Sequence, residues 1–161
     1  MKCKLPFALS LFLLVAAFAS AQTTAKVAVP LPRVFQLGTN EAAYDALAQN
    51  YATSLLEVSN NDMKVAFDKW LEMMKSLEEY AKKINFDIKG VKVRLHVFWD
   101  EEGNIDHIGY VFRTNSRNVR KEEFGAFLSS FSRQYVFPVT SKQKFSHYTI
   151  ATFPTYSEKA G

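Results

Sequence analysis

The segment VFWDEEGNIDHIGYVF, from Val97 to Phe112, decides how this chain folds. Apolar and polar residues alternate on both sides of its acidic centre, and a period of two is the pattern of β-strands. At the centre, three acidic residues at positions 100–102 precede Gly103. Two structures would use such a centre: a cation-binding loop, or the tight turn of a β-hairpin.

A turn explains this centre better than a calcium loop does. A calcium loop of the EF-hand kind has twelve residues, with oxygen ligands at alternating positions and a glutamate at the end. Here Gly103 comes too early, and strands begin directly on both sides of the acidic residues. A three-residue hairpin loop, by contrast, needs a glycine in the left-handed conformation where Gly103 stands. The sequence therefore predicts a β-hairpin.

The register of this hairpin determines where the histidines point. A hairpin closed around 100–104 places Val97 opposite His107. His96 and His107 then project from opposite faces of the sheet, because a shift of one residue changes the face. With His147 on a separate strand, the pattern predicts no three-histidine zinc site.

The sequence carries none of the common signatures of catalysis. It has no G-x-S-x-G nucleophile motif and no glycine-rich phosphate loop. We therefore predict no catalytic residues, no metal site and no cofactor. The enzymatic alternative is an exported hydrolase that uses His107 or His147 as a base, which would need a nucleophile and a cleft beside that histidine.

The strongest helical pattern starts at Asp62, with Asn60 or Asn61 as its predicted cap. Its apolar residues recur at spacings of four and three, which is typical of an amphipathic helix. They are Met63, Phe67, Trp70, Met74, Leu77, Ala81 and Ile84, and the stripe is widened by Ala66, Met73 and Tyr80. A stripe of this width is expected to bury against a sheet rather than to form a coiled-coil dimer.

The remaining elements predict an α+β fold. A short helix follows a cap at Asn40, another covers Val119 to Tyr135 after a cap at Asn118, and a last strand lies within Lys144 to Pro154. The fold class is a small antiparallel sheet, made of a β-hairpin, a helix and a β-strand, with an N-terminal helical region packed on it.

The first residues predict export. Residues 1–21 contain a positive start, an apolar run and the small-residue motif Ala19-Ser20-Ala21, which together indicate a secretory signal peptide cleaved after Ala21. Cleavage leaves 140 of the 161 residues, without the single cysteine Cys3, and 18 basic against 16 acidic side chains. We expect a periplasmic or secreted protein with no permanent membrane anchor. A net charge of +2 does not favour a nucleic-acid partner.

The predicted boundaries follow composition and periodicity. Pro30 and Pro32 exclude regular helix before the domain, so that stretch either lies along the domain as an extended edge or is partly ordered. The boundaries are 22–39 for this leader, 40–89 for the helical region and 90–154 for the sheet region, within a single domain of 40–156, and 157–161 for a disordered tail.

Residues 91–154 resemble the C-terminal domain of TonB-type periplasmic proteins. That family has a strand, an acidic glycine turn, a second strand, a loop, a helix, a short Phe-Pro element and a last strand. Here the corresponding segments are 93–99, 100–103, 105–112, 119–135, 137–138 and 148–153. The resemblance implies this fold and a tendency to bind envelope proteins by pairing at a sheet edge. The resemblance does not imply coupling to an inner-membrane motor. Family members have an uncleaved anchor helix and a long proline-rich spacer, whereas this sequence predicts a cleavable signal and has two prolines in its leader.

The expected function is that of a non-enzymatic adaptor, a monomer or weak homodimer that binds an envelope protein. The candidate contacts are Arg94 and Tyr110, on a sheet face predicted to mix aromatic and basic residues, and Arg117 and Asn118 in the following loop. The alternative is a small-ligand carrier, with an apolar pocket between the long helix and the sheet.

Overall fold

The structure is a computed structural model that describes residues 30–155. The predicted signal peptide, the first part of the leader and the predicted tail lie outside the described residues. In chain order the elements are β1 (Val34–Gln36), α1 (Glu41–Asn50), β2 (Thr53–Ser54), α2 (Leu55–Val58), α3 (Met63–Lys83), β3 (Lys92–Trp99), β4 (Ile105–Phe112), α4 (Lys121–Ser132) and β5 (Phe145–Thr152). The α+β fold class predicted from the sequence is confirmed.

The five strands form one mixed sheet in the order β1-β4-β3-β5-β2. Its centre is antiparallel, as predicted: β3 pairs with β4 on one side and with β5 on the other. The two edge strands add parallel pairs, β1 with β4 and β2 with β5. Strand β2 could not be predicted from periodicity, because two residues are too few to show a period. Strand β1 agrees with one of the two alternatives for the leader, an extended edge along the domain.

The acidic centre of the hairpin is a turn held together by Asp100. Gly103 has φ +87°, the left-handed conformation that the turn requires. One carboxylate oxygen of Asp100 accepts from the backbone N–H groups of Glu102 and Asn104, at 3.0 and 2.7 Å. The other oxygen accepts from the Asn104 side chain at 2.8 Å. The first acid of the segment therefore has a structural role.

Replacing Asp100 by alanine is expected to lower the free energy of unfolding by about 1–3 kcal/mol, because three hydrogen bonds of the turn are lost. Glu102, an exposed acid of the same turn, is the matched control, and Glu102→Ala is expected to change stability by less than about 0.5 kcal/mol. Urea denaturation measures both. A calcium-dependent rise in the stability of the unmodified protein would contradict the turn interpretation.

The predicted register of the hairpin was wrong by one residue beyond the turn. Trp99 does pair with Ile105, but Phe98 pairs with His107, so Asp106 is an extra residue between them. The Asp106 carboxylate accepts from the Tyr51 hydroxyl at 2.6 Å. This contact stabilises the bulge and joins residues that are 55 positions apart, so the bulge could not be predicted from the hairpin sequence alone.

The bulge changes which side chains share a face. His96 lies opposite Gly109 and Phe98 opposite His107, so His96 and His107 are on the same face, contrary to the prediction. Tyr110 lies opposite Leu95, which places it on the face away from Arg94. The predicted mixed aromatic and basic face is therefore wrong in its β4 residues, Tyr110 and Phe112, whereas its β3 residues, from Lys92 to Phe98, do share one face.

One face of the sheet is covered by α3 and α4, which enclose the main core. Its largest buried side chains include Trp99, Phe124, Phe131, Phe137, Phe145 and Leu77. The other face is covered in part by α1, where Phe35 and Tyr51 pack around Phe98. Helix α1 leaves the part of this face around Arg94 exposed.

Two predicted helix caps were wrong. Asp62, not Asn60 or Asn61, caps α3, with its carboxylate accepting from two backbone N–H groups of the first turn. Asn118 does not cap α4, which begins at Lys121. Asn118 instead adopts a left-handed φ of 55°, and its side-chain amide donates to the Asp87 carbonyl. Both departures depend on local loop geometry that helical periodicity does not define.

Candidate functional site

One edge of β5 is open along most of its length. Strand β2 covers this edge at Phe145 and Ser146, and the chain then turns away into α2 at Leu55. Within residues 30–155, no segment pairs with this edge from His147 to Thr152. In the described part of the chain, the sheet therefore ends in a run of six residues with a free side.

The backbone groups that face this free side can be assigned from the register. The Phe153 N–H donates to the Val91 carbonyl at 2.9 Å. Alternate residues of an antiparallel strand bond to the same neighbour, so the odd-numbered residues of β5 bond to β3. Tyr148, Ile150 and Thr152 consequently direct their N–H and C=O groups towards the open edge.

The open edge lacks the features that protect most sheet edges. Natural proteins interrupt free edges with charged residues, proline or a β-bulge, because an unprotected edge pairs with other chains. The β5 sequence, FSHYTIAT, has no charge and no proline. Its register with β3 runs from Phe145 to Thr152 without a shift. This edge is therefore competent to accept a further strand.

An apolar groove of about 510 Å³ runs beside the open edge, between β5 and α3. We call it the edge groove, and its lining includes Leu56, Met63, Phe67, Trp70, Met74 and His147. Met63 and Phe67 belong to the helical stripe that was expected to be buried, yet 68% and 58% of their surface is exposed. Ile150 borders the groove, although its side chain projects from the other face of the sheet, opposite Arg94, and it is 45% exposed. Exposed apolar surface beside a polar edge is typical of a binding site.

The four residues predicted to bind a partner do not form one surface. Arg94 is exposed on the sheet face opposite α3 and α4. Tyr110 is buried, and its hydroxyl donates to the Lys121 carbonyl at 3.0 Å. Arg117 is exposed in the loop after β4, where its N–H donates to the Gly90 carbonyl, and Asn118 follows it. The open edge and the edge groove were not predicted.

The histidines of the hydrolase alternative have structural contacts. His147 lines the edge groove, and its ring packs on Trp70 with 4.7 Å between centroids. His107 is hydrogen-bonded through Nδ1 to the Pro32 carbonyl at 3.1 Å. In the described part of the chain, neither ring is hydrogen-bonded to a hydroxyl or a carboxylate. Between residues 30 and 155, there is no group of at least three His, Cys, Asp or Glu side chains that could hold a metal ion.

The aromatic residues that a small-ligand carrier would use as a pocket pack against each other. Trp99 contacts Phe137 and Phe145, with centroid distances of 4.7 and 5.1 Å. On α4, Phe124 contacts Phe127 at 5.8 Å. These contacts fill the interior under α4 and the hairpin, whereas the edge groove lies at the margin of the sheet, between α3 and β5.

A polar cluster fixes the point where the open edge begins. Tyr51 and Lys144 both donate to the Asp106 carboxylate, and the Ser146 hydroxyl donates to the Tyr51 carbonyl. Burial, and then the bond to Asp106, raises the pKa of Tyr51 to about 12. Burial favours a higher pKa for Asp106, but its hydrogen bonds from Tyr51 and Lys144 outweigh burial and lower it. The cluster ties the chain before β2 to the first residues of β5.

His96 fastens α1 to the sheet. Its Nδ1 lies 2.9 Å from the Tyr44 hydroxyl, and its ring also contacts Tyr148 and Phe98. Burial, with a smaller effect from the charge of His147, lowers the pKa of His96 to about 4. His96 is therefore neutral at neutral pH, and Nδ1 of its neutral ring can accept a hydrogen bond from the Tyr44 hydroxyl.

Acidification is expected to destabilise the fold between about pH 6.5 and pH 4. An unfolded histidine has a pKa near 6.5, so the unfolded chain takes up a proton before folded His96 does. As the pH falls, His96 leaves the free energy of unfolding unchanged until about pH 6.5. Between about pH 6.5 and pH 4 it lowers that free energy by at most about 1.4 kcal/mol per pH unit, and below about pH 4 it has no further effect. His96→Gln is expected to reduce the slope in urea unfolding measured at several pH values. Parallel curves for the two proteins would contradict this assignment.

Comparisons of the chain with models of protein families, with curated proteins and with solved structures gave no match. None of the helices between residues 30 and 155 is both long and apolar enough to cross a membrane.

Proposed function

We propose that this protein is an exported, non-enzymatic binding module that captures an extended segment of another envelope protein. The captured segment adds to the sheet as a further strand along the free side of β5. The observation that carries the proposal is the open edge at Tyr148, Ile150 and Thr152, whose backbone donors and acceptors have no partner strand between residues 30 and 155. Strand addition is a recurrent way of recognising peptides, and it uses such groups.

The edge groove supplies the affinity that backbone pairing alone lacks. Each new backbone hydrogen bond contributes only about 0.5–1.5 kcal/mol net, because it replaces a bond to water. Ordering a segment of about six residues offsets much of that gain. Apolar side chains of the segment can bury against Met63, Phe67 and Trp70, at about 25 cal/mol per Å² of apolar surface removed from water.

The resemblance to TonB-type C-terminal domains supports the same mode of binding. It implies pairing of partners at a sheet edge, and here the free edge belongs to the last strand of the 91–154 segment. The predicted signal peptide, residues 1–21, supports a partner in the cell envelope.

Site-specific cross-linking in the native envelope tests this proposal. A photo-reactive amino acid at Thr152, on the open edge, is expected to join one membrane or envelope protein, whereas the same amino acid at Lys64, on the exposed side of α3, is not. Phe67→Ser is expected to reduce the product about tenfold without a change in melting temperature, because the exposed Phe67 ring lines the groove.

Val65→Ser is the matched control. Val65 is an exposed apolar residue of the same helix, but it does not line the edge groove, so its replacement is expected to leave the cross-linked product unchanged. Equal products from positions 152 and 64, or equal losses from both serine variants, would contradict capture at this edge.

A further inference from the structure

The two faces beside the open edge differ in chemistry. Side chains of a β-strand alternate between the two faces of a sheet. On one face, a strand added to β5 would meet the edge groove and its apolar lining. On the other face, it would meet the exposed side chains of Tyr148 and Ile150. Beside Tyr148 lie Glu41 and Asp45 of α1, and beyond Ile150 and Thr152 lie the basic residues of β3.

Three cations cluster on that second face. The Arg113 N–H donates to the Lys92 carbonyl, so these two residues lie directly opposite each other on neighbouring strands. Arg94 is two residues along β3 from Lys92 and therefore projects from the same face. Like charges directly opposite one another destabilise a sheet. In the described part of the chain, none of the three forms an ion pair.

The position of this cluster relates it to the open edge. Arg94 lies opposite Ile150 and Lys92 opposite Thr152, two of the three residues of β5 that present backbone groups towards the open edge. A strand added to β5 would lie two strand spacings, about 10 Å, from β3. A lysine or arginine side chain and a glutamate side chain reaching towards each other span that distance.

We infer that the captured segment is an amphipathic strand with apolar residues at alternate positions, facing the edge groove, and acidic residues between them, facing Arg94 and Lys92. The inference rests on the proposed capture of a strand by β5, and it specifies the chemical class of the partner. A basic segment would be disfavoured, because it would add like charge to a cluster that forms no ion pair with an acidic residue between positions 30 and 155.

Three capped seven-residue peptides test the inference: isoleucine alternating with glutamate, with glutamine or with lysine. Each peptide carries a fluorescent label. Its binding to the protein, purified from cells without truncation, is measured by fluorescence anisotropy at low and at physiological salt concentration. The glutamate peptide is expected to bind about five- to tenfold more tightly than the glutamine peptide at low salt, and the lysine peptide least tightly. The double variant Lys92→Gln, Arg94→Gln is expected to remove the preference for glutamate and to retain the melting temperature.

Amide exchange at Tyr148, Ile150 and Thr152 separates the possible failures. If the peptides protect these amides but the glutamate and glutamine forms bind equally, the acidic pattern is overturned and strand capture stands. If the glutamate preference persists in the double variant, Arg94 and Lys92 are not its source and the inference is also overturned. If no peptide protects the three amides, strand capture fails and the inference fails with it.

Discussion

Gly103→Ala is expected to lower the free energy of unfolding by about 3–5 kcal/mol, a large part of the stability of an ordinary domain. Gly103 has φ +87°, where a residue with a Cβ is strained by about 1–2 kcal/mol. A Cβ at this position would also clash with the Phe137 carbonyl oxygen and lie 2.9 Å from that of Val139. The backbone cannot withdraw easily, because the Phe137 N–H donates to the Gly103 carbonyl at 2.8 Å.

Gly38 provides the control for this prediction. Its φ is +86°, almost the same as that of Gly103, but a Cβ there would meet nothing within 4 Å. Gly38→Ala therefore reports the strain of the left-handed conformation alone, about 1–2 kcal/mol. Urea denaturation measures both variants. Equal losses would mean that the contact between the hairpin turn and the loop segment at Phe137 does not restrict position 103.

Ile150→Pro is expected to weaken capture of a partner strand by about 30-fold or more, equivalent to roughly 2 kcal/mol. The Ile150 N–H faces the open edge, so proline removes a donor that an added strand would use, and its ring occupies the approach. The pairing of β5 with β3 is retained, because proline is tolerated where the N–H faces away from the sheet. The melting temperature is therefore expected to change little.

Ile150→Ala separates the backbone donor from the side chain. Alanine keeps the N–H and removes most of the apolar surface, so we expect a loss of capture of no more than about fivefold. Both variants are measured by anisotropy with the isoleucine–glutamate peptide. Equal binding by the proline and alanine variants would show that the backbone at position 150 does not pair with the partner.

The central hairpin could be predicted because its signals are local. Period two, an acidic turn and Gly103 all occur within one stretch of sequence, and the structure confirms the turn and the antiparallel pairing of β3 with β4. The bulge could not be predicted, because Asp106 is held by Tyr51 and Lys144, which are 55 and 38 residues away. Because of this one extra residue, the Tyr110 side chain lies on the opposite face of the sheet from the one predicted.

The candidate site was missed for a related reason. The helix α3 was predicted correctly from its spacing, and the middle of its stripe is buried from Trp70 to Ala81, but its two ends are exposed. Periodicity does not indicate where a neighbouring strand stops covering a helix, so the exposure of Met63 and Phe67 could not be foreseen. The open edge depends on the strand order, in which β2 pairs with β5 over just two residues.

Amide hydrogen exchange of β5 tests strand capture most directly. In the free protein, Tyr148, Ile150 and Thr152 are expected to exchange quickly, because their N–H groups face solvent, while Thr149 and Ala151 are protected by β3. Addition of the cross-linked envelope partner, or of the isoleucine–glutamate peptide, is expected to slow exchange at the three edge residues at least about tenfold. Protection of these amides in the free protein, or unchanged exchange at saturating partner, would contradict capture at the β5 edge.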